Sequence, residues 1–392
     1  MKPELVAPAG DLEHLRIALL FGADAVYVGG AEFSLRARAS NFTLDDIAEG
    51  VRFAHGLGKK VYAAVNVIPT DDDATGLDMY LAGLAKAGVD AVIASSPVVL
   101  DRTLALTDLP VHLSTQQSVA SSAAAEFWRS AGAMRIVLAR ELSLAELRAI
   151  RNNTSVGLEV FVHGGMCASY AGRCTISNYL ADRDANRGGC AHSCRWKYRL
   201  LSDGIPVSDR FDFSLAAKDL EALDYVPALA DAGIDALKIE GRMKSANYVA
   251  VTSRVYRAVI DDHRKGTLKP WDTYRDELAK AENRPAADGF LGGITSARHQ
   301  LYEGIPPPRQ DFLGHVASID GSGRARITLR NPVALGDTIE MTPPGAPNSR
   351  FAVEGLFDGT GFPLSSARRT GEIVMIPVPQ GTVQYAMLRK VN

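Results

Sequence analysis

The sequence is short of several things at once, and each shortage excludes a class of protein. Cysteine accounts for only 4 of its 392 residues and aromatic residues for 7%. No apolar run reaches the roughly 18 residues that a transmembrane helix needs, so no membrane-spanning helix is expected. The N-terminus meets Glu4, Asp11 and Glu13 before any long apolar stretch. It does not read as a secretory signal, and a cytoplasmic setting with reduced thiols is expected. A formal charge of −2 leaves no general basic field, so contact with nucleic acid would require a local patch. Also absent are H-E-x-x-H, G-x-S-x-G and the G-x4-G-K-[ST] loop, the marks of zinc peptidases, serine hydrolases and P-loop nucleotide hydrolases. What is present, 46% apolar and 22% charged residues, is ordinary for a globular chain and too apolar for a disordered one.

Short β-branched runs alternate with helical stretches. The runs are Glu4–Ala7, Ala25–Val28, Lys60–Val67, Ala91–Ala94, Val111–Leu113, Arg135–Leu138, Leu158–Val162 and Ala236–Ile239. Asp11 is placed to cap the first helix. Eight strands alternating with helices imply parallel βαβ units, and the number eight points to an α/β fold of the (β/α)8 TIM-like barrel type over 1–265. An open doubly wound sheet is the alternative. Residues 266–310 hold Pro270, Pro285 and Pro306-Pro307-Pro308 and read as a linker or wrapping segment. Residues 311–392 read as a small all-β barrel domain, with turns at Asp320-Gly321 and Asp358-Gly359.

The seventh-to-eighth connection is far longer than the usual 2–6 residues. It contains every cysteine: Cys167, Cys174, Cys190 and Cys194 lie in the segment 163–200. Four thiolates at one site would repel unless a cation or cluster held them. Zinc suits four sulfurs but usually takes paired C-x2–4-C spacings, and here only Cys190 and Cys194 have one. Glycines at 164, 165, 172, 188 and 189 let the chain wrap a bulky ligand, which favours an iron–sulfur cluster. Zinc and uncomplexed thiols remain open on spacing alone.

Other candidates stand at strand ends. His163 reads as an acid/base group or as a satisfied structural histidine. Lys238, Glu240, Arg242 and Lys244 end the eighth strand, where Arg242 and Lys244 could clamp a carboxylate or phosphate. Glu240 and Arg140 are further catalytic candidates. Arg36 and Arg38, with Asn66 and Gln116, are candidates for substrate binding, and Gln117 and Glu141 fall on the same face. Arg195, Trp196, Lys197 and Tyr198 offer cations beside aromatics, suited to stacking bases. Arg324, Arg326, Arg330, Arg368, Arg369, Arg389 and Lys390 give the last domain a basic character compatible with RNA.

Several stretches together resemble the collagenase-like peptidases, a family of formerly unknown catalytic type. They are residues 4–15, 22–43, 113–119, 159–179, 183–200 and 237–249, and the likeness spans nearly the whole chain. The resemblance implies a change of activity class. Members first labelled proteases include hydroxylases of tRNA, of ribosomal RNA and of ubiquinone precursors, which carry a cysteine-bound iron–sulfur cluster and work without molecular oxygen. The branch acting on tRNA takes its hydroxyl group from prephenate and forms 5-hydroxyuridine at the wobble position. By this resemblance the four cysteines match the ligands of a cluster, expected as 4Fe-4S. Four protein thiolates would leave such a cube no vacant iron, which argues for electron transfer or a structural role. The expected partners are therefore tRNA and prephenate, the latter near Arg36, Arg38, Arg242 or Lys244 because arginine suits bidentate carboxylate recognition. The uridine would enter flipped out of its loop. Proteolysis, hydroxylation of ribosomal RNA and non-catalytic RNA binding are the alternatives. The stretch Asn283–Phe290 departs from the glycine- and threonine-rich version the family leads one to expect.

Overall fold

The strands of the barrel are buried on both faces, which is why they read as nearly unbroken apolar runs rather than alternating ones. In the computed structural model, which describes residues 2–35, 41–208, 214–281, 284–293 and 311–391, all eight expected strands form. They are β1 (Glu4–Pro8), β2 (Ala25–Gly29), β3 (Lys60–Val65), β4 (Ala91–Ala94), β5 (Val111–Leu113), β6 (Arg135–Val137), β7 (Gly157–Gly164) and β8 (Ala236–Ile239). Each lies parallel to the next, and β8 pairs with both β7 and β1, so the sheet closes. The helices around it start at capping side chains: Asp11, Thr43, Ser96, Ser121, Ser143 and Ser245 each accept a backbone N–H of the first turn, satisfying donors that a helix start leaves open.

Alternate residues of the strands point into the barrel. Part of this interior is apolar, with Val6, Ala25, Tyr27, Tyr62, Ala91, Ile93 and Ala236 in one cluster. The rest is a chain of paired charges. Lys238 Nζ donates to Glu159 at 2.7 Å, Arg135 bridges Glu159 at 3.3 Å and Glu4 at 2.7 Å, and the Tyr62 hydroxyl donates to Glu4 at 2.7 Å. Each charge inside the barrel has a partner, as burial demands.

The segment read as a linker is structured in part. Helix Trp271–Leu278 packs against the long helix Ala246–Lys265, and Ala286–Ala287 pairs with Asp219–Glu221 beside β7. Pro306-Pro307-Pro308 lies outside the described residues. The last domain is an antiparallel half-barrel of seven strands around Leu313, Val316, Ile327, Ile339, Val374 and Leu388. Its two expected turns form: Asp320 accepts from the N–H groups of Ser322 and Arg324, and Asp358 from those of Thr360 and Phe362.

One basic residue of this domain is placed contrary to expectation. Arg389 is fully buried, 3.0 Å from Glu340, 2.6 Å from the Thr342 hydroxyl and 3.4 Å from Glu277 of helix Trp271–Leu278. Lys280 joins the group at 2.6 Å from Glu277 and 2.7 Å from Glu340. Lys390 pairs with Asp337 at 2.9 Å. Arg389 therefore fastens the half-barrel to the helices and is closed to RNA.

Candidate active site

The C-terminal ends of the barrel strands surround a cavity of about 400 Å³. β3 delivers Asn66, β5 leads to Ser114, Thr115 and Gln116, β6 to Arg140, β7 to Gly165 and β8 to Glu240, Arg242 and Lys244. Tyr27, Ile93 and Phe161 form the apolar floor, and Lys238 rises beside them with its ammonium 4.5 Å from the Tyr27 ring and 5.6 Å from the Phe161 ring. The roof is the cysteine loop. All four cysteines line the cavity, with Cys174 and Cys194 half-buried and Cys167 and Cys190 exposed. Burial, together with the charges of Cys167, Cys190 and Cys174 and against the pull of Arg195, pushes the Cys194 thiol up. The four sulfurs share this one cavity. They are not gathered within reach of one ion: among the described residues, no three His, Cys, Asp or Glu side chains form such a group.

Local bonds hold the loop in this position. Arg187 forks onto Asp73 at 2.9 and 3.3 Å and also donates to the Ile68 carbonyl at 2.8 Å. The Arg187 fork, helped by the Thr70 N–H, holds the Asp73 carboxyl down to about 2. Asn186 donates to the Cys174 carbonyl at 3.1 Å, and Glu141 accepts the Ala171 N–H at 2.7 Å. Arg173 donates to Gln117 at 3.1 Å. Gln117 and Glu141 therefore anchor the roof.

The charged lining is lopsided. Among the described residues, Arg140, Arg195, Lys238, Arg242, Lys244 and Arg284 face one acidic side chain of the lining, Glu240. Some of these cations also have partners behind the wall. Lys238 pairs with Glu159, while Lys244, at 3.5 Å, and Arg284 share the buried Asp219. Arg140 lies over the Phe161 ring at 3.8 Å and donates to the Gly165 carbonyl at 2.5 Å. The Arg242 guanidinium occupies the space where residue 29 has no side chain; a Cβ on Gly29 would fall 1.5 Å from Arg242 Nη1. Arg195, Arg284 and Glu240 converge over Gly165, each with a terminal atom within 3.6 Å of where its Cβ would be.

His163 is not in this lining. The register between β7 and β8 slips between Lys238 and Ile239, so that Lys238 pairs with Phe161 but Ile239 with His163. The irregularity turns His163 away from the interior, against the rings of Tyr248 and Tyr256. The Tyr256 hydroxyl donates to the Val162 carbonyl at 2.8 Å, so the His163 Nδ1, 3.2 Å away, must carry the proton of the bond between them. Burial, and then the charge of Lys244, lowers its pKa to about 3. The imidazole expected as a catalytic acid/base is a neutral structural group behind the wall. Arg36 and Arg38 lie outside the described residues.

The structure adds residues that the sequence did not single out for this cavity. His192 and Arg284 line it, as does Arg195, which sequence reading assigned to base stacking, and Lys238, read only as one of several charges ending the eighth strand, reaches its floor. Lys238 had one available signal: with Glu240 it repeats at a spacing of two along a strand, the period of one sheet face.

Comparison with known proteins agrees along the chain's length. The model of "Peptidase family U32" matches residues 10–301, and that of its C-terminal domain matches 308–389. The chain is 39% identical to the "tRNA hydroxylation protein P1" of Bacillus subtilis, covering 99% of this chain and 95% of that one. It is 34% identical to the "tRNA hydroxylation protein P" of Escherichia coli, over 99% and 97%. A 23S rRNA 5-hydroxycytidine synthase of Escherichia coli is 35% identical over 86% of this chain and 52% of its own.

Proposed function

The chain belongs to peptidase family U32, and on that premise we propose that it is an RNA-modifying enzyme, a tRNA hydroxylase working without molecular oxygen. Its product is 5-hydroxyuridine at the wobble position, its hydroxyl donor is prephenate, and it holds an iron–sulfur cluster on Cys167, Cys174, Cys190 and Cys194. Relatives named for tRNA hydroxylation run its full length. The observation that carries the reading is the cavity that gathers, among the described residues, four thiols with six cations and one carboxylate at the mouth where this architecture puts its chemistry.

The donor set fits the cofactor. Four thiols line one cavity, and four protein sulfurs are a donor set that an iron–sulfur cluster accepts. Bound there, such a cluster supplies electron transfer. The chain's own residues do the rest. Arg242 and Lys244, held in place by Gly29 and Asp219, offer paired cations to a dicarboxylate such as prephenate. The Tyr27 and Phe161 rings give a flat base an apolar face. Glu240 is the acidic side chain found in the lining among the described residues and is assigned the proton-transfer role. The cysteine loop covers part of the site.

Proteolysis has less support. Cys167 pairs with the Ser169 hydroxyl at 3.0 Å, and His163, turned outward and held neutral, does not reach it. The test is nucleoside mass spectrometry of tRNA from a deletion strain carrying the gene, or its Cys190→Ala variant, on a plasmid. The wild-type gene should restore 5-hydroxyuridine and the variant should not. Unchanged 5-hydroxyuridine in the deletion strain, with no second family member present, would sink the proposal.

A further inference from the structure

Asn66 and Gln116 form one wall of the cavity, and their side-chain amides are locked against each other. The polarity of that lock follows from two backbone groups. The Leu35 N–H, which can only donate, lies 3.1 Å from the Asn66 side chain, so the atom facing it is Oδ1 and Nδ2 faces Gln116. The Asn66 carbonyl, which can only accept, lies 3.3 Å from the Gln116 side chain, so that atom is Nε2. This leaves Gln116 Oε1 to receive Asn66 Nδ2 at 3.1 Å. Ser114 Oγ, 2.7 Å from the same Oε1, must commit its proton there. After these bonds each amide keeps one N–H without an acceptor among the described residues, and the Ser114 hydroxyl has only lone pairs left to offer.

We infer that this wall selects a keto pyrimidine over an amino pyrimidine. The inference rests on the hydroxylase reading above and says which residues read the base. The wall presents two donors and an acceptor. The pairing edge of uracil presents the complement: keto oxygens at O4 and O2 and a proton on N3. Cytosine has an amino group in place of O4 and a bare lone pair at N3. The first change would set the amino donor against an amide N–H, and the second removes the N3 proton that the Ser114 oxygen would receive. The amides cannot turn over to accommodate it. Turning Asn66 would set N–H against the Leu35 N–H, and turning Gln116 would set oxygen against the Asn66 carbonyl. A donor left facing a donor, with no acceptor to pair it, is what makes such discrimination steep.

The experiment compares three RNA hairpins that differ in one unpaired nucleotide: uridine, cytidine or N3-methyluridine. Their affinities for the full chain are read by fluorescence anisotropy. The uridine hairpin should bind at least about tenfold more tightly than the cytidine one, the usual discrimination of a bidentate base contact, and N3-methylation should remove a comparable factor. This comparison uses the unaltered chain, so the folding of a variant does not enter it. In Gln116→Leu the uridine preference should fall to within about twofold. Equal affinity for uridine and cytidine in the unaltered chain overturns the inference. So does a Gln116→Leu chain that keeps the preference but binds prephenate more weakly, which would assign the amides to the acid. Restoration of 5-hydroxyuridine in the strain test alongside equal hairpin affinities would leave the hydroxylase reading standing and this one refuted.

Discussion

His163 shows how one residue's role is decided by a neighbour's register. Its position at a strand end, four residues before a cysteine, suits a catalytic base. The slip between β7 and β8 instead puts it between Tyr248 and Tyr256. The consequence is measurable as a pH dependence of stability. The folded pKa of about 3 lies below the unfolded value of 6.5. Between those values the unfolded chain binds the proton and the folded chain does not, so stability falls as pH falls through this window and is complete above 6.5. At about pH 5.5 the loss attributable to this residue is about 1.4 kcal/mol. Urea midpoints of the wild-type chain should drop on going from pH 7.5 to 5, and those of His163→Gln should drop less. The slope will not vanish, because burial also holds His112 well below its ordinary pKa. Equal slopes would mean that His163 titrates normally. Lys238 makes the opposite point. It looks like one more cation at a strand end, yet only the closed barrel shows that Glu159 neutralises it and that it stands in the cavity floor.

At the scale of elements, the cysteine loop is held by turns and clamps rather than by a core of its own. Its turn from Asp184 to Gly189 is closed by the Gly189 N–H, which donates to the Asp184 carbonyl at 2.6 Å. A Cβ on Gly189 would sit 2.6 Å from that carbonyl oxygen and 2.8 Å from the Asp184 nitrogen, closer than packed atoms come. Both are backbone atoms, so no side chain can swing aside. Gly189→Ala should therefore displace Cys190, the next residue, without disturbing the barrel. Iron bound per chain after anaerobic reconstitution should fall by at least about half, with the thermal midpoint within about 2 °C of wild type, because an altered surface turn costs little stability. Full iron content in the variant would show that the turn does not place Cys190.

At the scale of the molecule, the barrel and the half-barrel are joined by buried charge. Arg389 links β-sheet residues Glu340 and Thr342 to Glu277 and, through Asn247 at 3.5 Å, to helix Ala246–Lys265. Glu277 and Glu340 are held below the usual carboxylate range by Lys280 and Arg389, against the upward push of burial. Removing one partner leaves the others buried and unmatched. Arg389→Met should cost about 3–5 kcal/mol. It should also speed amide exchange in Met387–Lys390 before the barrel strands are affected, as hydrogen-exchange mass spectrometry would reveal. A loss under about 1 kcal/mol would mean that the network contributes no more than a surface pair does.

The amino-acid sequence by itself determined the eight barrel strands, the antiparallel last domain and the enlarged loop with its four cysteines. These rest on local signals: apolar runs, capping residues such as Asp11 and Ser143, aspartate turns at 320 and 358, and close spacing along the chain. It also named Asn66, Gln116, Arg140, Glu240, Arg242 and Lys244, because residues at strand ends must share one face of a closed barrel. Only the tertiary structure decided which way His163 faces, that Arg389 is closed to solvent and that the supposed linker carries a helix. It alone oriented the Asn66 and Gln116 amides. Those outcomes depend on register and on partners far away in the chain, Ile239 for His163, Glu277 and Glu340 for Arg389, and Leu35 for Asn66. Residue type and spacing carry no record of such pairings until the barrel closes.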